Sequence, residues 1–106
     1  MDRIVALGQL MDYYGSVLTE RKYHLVSQYV YEDLSLREIS EREKISRQAV
    51  HDAVATAEAE LQEMENRVGM IRKSRMILDI LQELRGETED PGMLDKLERI
   101  QRILEE

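Results

Sequence analysis

The sequence predicts an all-α protein: a helix-turn-helix bundle with a long recognition helix and a helical C-terminal extension. Three observations predict it. Leu, Glu, Arg, Gln, Met and Ala dominate the 106 residues, Phe, Trp and Cys are absent, and Pro91 is the single proline; this is a composition of helix formers. Apolar residues recur at three- and four-residue spacings along most of the chain, the period of an amphipathic helix. Finally, the stretch from Ser35 to Val50 holds two helix starts a turn apart. Ser35 with Glu38 makes a capping box, and Ser46 caps the longer run that follows. A short helix, a tight turn and a longer second helix are the parts of a helix-turn-helix.

Taken in order, Ile4, Leu7, Leu10, Met11 and Tyr14 form the stripe of a first helix, which Gly15 and Ser16 end. Thr19 caps a second helix carrying Tyr23, Val26, Tyr29 and Val30, up to the acidic break at Glu32 and Asp33. The five tyrosines all lie in this first third, and without other aromatics their expected role is packing. In the hairpin, Ile39, Ile45 and Val50 are the expected buried pegs. The turn between its helices falls at Lys44, where such motifs often carry Gly; a left-handed non-glycine residue costs roughly 1 kcal/mol.

Beyond Ser46, the residues Val50, Val54, Ala57, Leu61, Met64, Val68 and Ile71 recur at alternating four- and three-residue steps. That heptad stripe is a seam for another helix, from this chain or from a second copy. A homodimer is expected on this ground. Gly69 interrupts the pattern, after which Met70, Ile71, Ile77, Leu78, Leu81 and Leu84 carry a broader apolar face next to the basic Arg72, Lys73 and Arg75. Asp90 followed by Pro91 starts a last helix with Met93, Leu94, Leu97, Ile100, Ile103 and Leu104 on its stripe. The expected division is a helix-turn-helix domain over residues 1–65 and a helical extension over 66–106, packed on that domain or on a second subunit.

Composition also excludes function classes. Without cysteine, and with His24 and His51 far apart, there is no thiolate metal site and no constellation for nucleophilic or metal catalysis. Glu20 and His24 stand four apart on the second helix, a spacing that reads as local stabilisation rather than an acid–base dyad. No enzyme activity and no cofactor are expected. No charged-then-apolar leader and no apolar run of roughly 18 residues occur, so a cytoplasmic protein without membrane insertion is expected. The net charge of −7 matters most, because nucleic-acid affinity comes from Lys and Arg neutralising phosphates.

The stretch Ser35–Val50 resembles the last helix-turn-helix of bacterial sigma factors (region 4), in which a Ser-Leu-x-Glu-Ile-Ala-Glu run precedes Gly-Ile-Ser and the recognition helix. The runs Leu10-Met11-Asp12-Tyr13-Tyr14-Gly15, Leu18-Thr19-Glu20-Arg21-Lys22, Asp33-Leu34-Ser35-Leu36 and Ile45-Ser46-Arg47-Gln48-Ala49-Val50 are together similar to the YlxM family of small helix-turn-helix proteins of Gram-positive bacteria. The resemblance covers about residues 4 to 65 well and the rest loosely. It implies a regulatory or accessory role in protein targeting, since the family's genes typically lie beside those of signal recognition particle components.

This chain departs from both patterns where basic residues usually follow the first recognition turn: it has Ala53, Val54, Ala55, Thr56, Ala57 and Glu58, and Arg47 is the single basic residue from Ser46 to Glu65. Two readings follow. In one, a DNA-binding transcriptional regulator reads bases with Ser46, Arg47, Gln48, His51 and Asp52 and holds phosphates with Arg21, Lys22 and Lys44; such binding is expected to be weak. In the other, an acidic face at Glu58, Glu60 and Glu63 docks on a basic protein or ribonucleoprotein, with a signal recognition particle component as the leading partner.

Overall fold

The computed structural model describes residues 2–106, which form six α-helices and one 3-10 turn, with no strand among them. The all-α expectation holds. The helices fall into two compact units, one ending at Gly69 and the other spanning Met70–Glu106.

In the first unit, α1 (Arg3–Tyr14) begins one residue before the predicted Ile4, because the Asp2 carboxylate accepts the Ile4 amide at 3.0 Å and caps it. The 3-10 turn Gly15–Val17 follows. Gly15 is buried there, and a Cβ on it would lie 2.9 Å from a ring carbon of Tyr23, so a side chain at this position would have to displace that ring. In α2 (Glu20–Val30), the Thr19 hydroxyl accepts the Lys22 amide at 3.2 Å.

The capping box forms as the sequence predicts at α3 (Leu36–Glu43): the Ser35 hydroxyl accepts the Glu38 amide at 3.0 Å and the Glu38 carboxylate accepts the Ser35 amide at 3.0 Å. The Ser35 amide, and then its hydroxyl, hold the Glu38 carboxyl below its usual range. α3 closes with Lys44 in the left-handed region, φ 57°, and the Ile45 amide reaches back to the Ser40 carbonyl at 3.1 Å. That six-to-one bond is the Schellman closure, normally a glycine's task. Lys44→Gly is therefore expected to stabilise the protein by roughly 0.5–1 kcal/mol, since glycine adopts this conformation without a Cβ penalty. Urea melts check this; a lower midpoint would mean that the lysine side chain offsets its own strain.

Ser46 then caps α4 (Arg47–Val68) by accepting the Ala49 amide at 3.0 Å. α4 is the axis of the unit, and α1, α2 and α3 each pack on it. Its Val50, Val54, Ala57 and Leu61 are buried, as are Leu7, Leu10, Met11 and Tyr14 of α1, Leu25 and Val26 of α2, and Ile39 of α3. Gln28 is buried too, its amide donating to the His24 carbonyl at 3.3 Å and its carbonyl accepting from Arg42 at 3.4 Å.

Four expectations need correction. Leu25, not Tyr23, supplies the buried face of α2; the ring of Tyr23 lies against the turn at Gly15 with its outer part exposed. Of the five tyrosines only Tyr14 is buried, while Tyr13, Tyr23 and Tyr31 are exposed and Tyr29 is intermediate, so packing is not their common role. Ile45 is half-buried rather than a full peg, because it sits in the turn itself; Ile39 and Val50 hold the motif, each 0% exposed. The heptad seam does not run unbroken to Ile71. Gly69 is left-handed (φ 69°) and stops the helix, Val68 is exposed, and the seam from Val50 to Leu61 is satisfied inside this chain.

The second unit is a helical hairpin. α5 (Met70–Glu87) runs through Gly86, and Asp90 caps α6 (Pro91–Glu105) by accepting the Met93 amide at 2.9 Å, with Pro91 at the first helical position. The two helices pack on each other, with Leu81 and Leu97 buried and Arg85 hydrogen-bonded to Gln101. Leu97 is the one buried residue of α6; Met93, Leu94, Ile100 and Ile103 of its predicted stripe are exposed.

Candidate nucleic-acid interface

The first two turns of α4 present the predicted reading residues. Ser46, Arg47, Gln48, His51 and Asp52 are all exposed, because the buried face of the same turns is spent on Val50 and Val54. The structure brings the five together at the start of one helix, in the place where a recognition helix meets base edges. They are not independent of one another. The Gln48 amide donates to Asp52 Oδ1 at 2.8 Å, and His51 Nδ1 lies 3.6 Å from the same oxygen. Asp52 therefore orients Gln48 and stands beside the His51 ring. The Ser46 hydroxyl already accepts a backbone amide, which leaves it its proton to give.

The cations expected on phosphates fare differently. Arg21 and Lys44 are exposed and have no carboxylate partner among the described residues, and Arg47 has none either. Lys22 is tied to Glu60. Arg42 reaches Glu32 at 3.1 Å and Arg37 reaches Glu41 at 3.1 Å.

The face predicted to be acidic is largely matched within the chain. Arg3 pairs with Glu58 at 3.2 Å, Lys22 with Glu60, and Arg67 with Glu63 at 2.7 Å. Glu58 in turn raises the Arg3 pKa above its ordinary value, by hydrogen bond and then by charge. Each of the three glutamates has a local counter-ion, which lowers the potential that this face offers a basic partner. The pairings Arg3–Glu58 and Lys22–Glu60 cross 55 and 38 residues of sequence, and no local signal marks them. Likewise His24 pairs with Glu43 of α3 at 3.0 Å and not with Glu20, correcting the spacing argument.

Glu20 instead lines a cleft of about 490 Å³ with Asp12, Tyr13 and Tyr23 at the end of α1. Tyr31 donates its hydroxyl to Asp12 at 2.5 Å there, and burial together with that hydrogen bond pushes its pKa far above the usual phenol value. The phenol stays protonated at any physiological pH. Among the described residues no His, Asp or Glu cluster is placed to hold a metal ion, and no helix is long and apolar enough to cross a membrane.

Two capped helices joined by a left-handed turn, with an exposed first turn on the second, define a helix-turn-helix protein. The profile of UPF0122, described as "Putative helix-turn-helix protein, YlxM / p13 like", matches residues 1–104, and the chain belongs to that family. It is 42% identical over 84 residues to a UPF0122 protein of Symbiobacterium thermophilum, covering 79% of this chain and 78% of the relative. A UPF0122 protein of Desulforamulus reducens is 40% identical over 106 residues, covering 93% and 91%. One from Acetivibrio thermocellus is 34% identical over 116 residues, covering 99% of each.

Proposed function

We propose that this chain is an accessory regulator of protein targeting that docks on a basic protein or ribonucleoprotein, with a component of the signal recognition particle as its partner. The resemblance to the YlxM family supports the choice of pathway. The observation that carries the mode of action is the allocation of cations around the motif. Lys22, Arg3, Arg37 and Arg42 are held by carboxylates of the same chain, so Arg21, Lys44 and Arg47 remain to meet phosphates. Residues 1–69 carry thirteen Asp and Glu against eight Lys and Arg. With Glu58, Glu60 and Glu63 matched by Arg3, Lys22 and Arg67, it is the excess of five carboxylates over the unit as a whole that gains encounter rate against a basic partner and loses it against bare nucleic acid. In this reading the protein acts as a homodimer.

The second reading, a sequence-specific DNA-binding regulator, is favoured by one observation: Arg47, Gln48 and His51 stand exposed on the first turns of α4. Binding to duplex DNA as a function of salt separates the two. With three phosphate contacts, log affinity against log salt should slope by about −3 or less, and affinity in physiological salt should stay weaker than micromolar. The partner reading expects signal recognition particle components to be captured from lysate with Arg47→Ala as with the parent. Sub-micromolar, sequence-specific DNA binding that Arg47→Ala abolishes would overturn it, since an arginine there is placed to meet a guanine edge.

A further inference from the structure

On the hairpin of the second unit, Ile77, Ile80 and Leu84 of α5 and Met93, Ile100 and Ile103 of α6 are each between 40% and 69% exposed. The spacings 77, 80, 84 and 93, 100, 103 place each set on one face of its helix. Both faces lie to the same side of a contact built on Leu81 and Leu97: angles run in opposite senses around two antiparallel helices, so the two arcs meet rather than diverge. The result is one continuous apolar surface. Six side chains of this size, about half exposed, present on the order of 500 Å² per copy, the size of a largest apolar patch, which often marks an interaction site. It is also about the apolar share of a stable interface of roughly 800 Å² per partner.

We infer that this surface pairs with the same surface of a second copy, the two α5 helices running antiparallel about Ile80 and the two hairpins closing a four-helix bundle. The stripe along α5 specifies that occupant. It reads Lys73, Ile77, Ile80, Leu84, Glu87 at alternating four- and three-residue steps, apolar in the middle with a cation at one end and a carboxylate at the other. Turned end for end about Ile80, it is its own complement to within one residue: Lys73 meets Glu87 of the other copy, Ile80 meets itself, and Ile77 falls beside Leu84, one position off exact register. A two-fold interface requires this self-complementarity, and an unrelated partner would not. The rest of the unit does not oppose it, with nine Asp and Glu against seven Lys and Arg in Met70–Glu106. The inference rests on the homodimer reading and moves its interface from the α4 seam, which is filled within the chain, to the hairpin.

Sedimentation equilibrium of the full chain tests both levels. The parent should run at twice the 12.5 kDa chain mass at micromolar concentration. Ile80→Asp, at a half-exposed position, should keep its circular dichroism and raise the dimer dissociation constant about 100-fold or more, because two carboxylates would meet at the axis. Lys73→Glu and Glu87→Lys should each weaken the dimer several-fold, and the pair combined should restore it. The chain holds no cysteine, so oxidised Ile80→Cys should cross-link to a covalent dimer without side products. A parent dimer that Ile80→Asp leaves intact would overturn this surface while the homodimer reading stands. A dimer in which Ile80→Cys fails to cross-link and the charge swap fails to restore would overturn the antiparallel register. A parent that is monomeric at high micromolar concentration removes both.

Discussion

Ile39→Asp is expected to cost the unit that ends at Gly69 a large part of its stability. Ile39 is 0% exposed, on the α3 face packed against α4, and Arg42, the cation one turn on, is already held by Glu32 and Gln28. Burying an uncompensated charge is among the few mechanisms that cost about 4 kcal/mol or more, against a total stability of about 5–15 kcal/mol for a domain. Part of that loss should depend on pH. Burial raises the introduced carboxyl's folded pKa above its unfolded value, so the penalty is full at neutral pH and shrinks as acid protonates the group. Ile45→Asp should cost clearly less, since Ile45 is half-buried. Circular dichroism melts of the two variants beside the parent decide the matter, and an Ile39→Asp melt coincident with the parent would mean that α3 is not held by this residue.

Leu61→Ala should be the most damaging simple truncation along α4, with a loss of about 2–5 kcal/mol from transfer and cavity terms. Leu61 is the last fully buried member of the stripe that starts at Val50. Val68→Ala, seven residues on and 40% exposed, should change stability by about 0.5 kcal/mol or less. Urea denaturation gives both numbers. Equal losses would show that the seam is in use along its whole length, as the heptad spacing alone suggests.

That contrast marks what the sequence could and could not reveal. The helix starts at Thr19, Ser35, Ser46 and Asp90 were legible because a cap is decided by a side chain and an amide two or three residues apart. The stop at Gly69 was not. Apolar periodicity continues across it, and whether a glycine stays helical or turns left-handed depends on what the flanking helices pack against. The reading residues on α4 follow from the motif, whereas the counter-ions that occupy Lys22, Glu58 and Glu60 come from helices brought together only by folding. Tyr23 misled for a related reason: its register fits the apolar stripe, but the close approach at Gly15 places its ring at the rim.

The position of α4 in the chain has a consequence for how the protein is made. α1, α2 and α3 all pack on α4, and they come first. On the ribosome, the segment through Ser46 emerges with Leu7, Leu10, Met11, Val26 and Ile39 already synthesised but without the α4 surface on which α1, α2 and α3 pack. At about 5–20 residues per second, the 22 residues of α4 take roughly 1–4 s to add. For those seconds the nascent chain carries an open apolar surface, and folding of the unit begins as a late, nearly all-at-once event when the axis arrives.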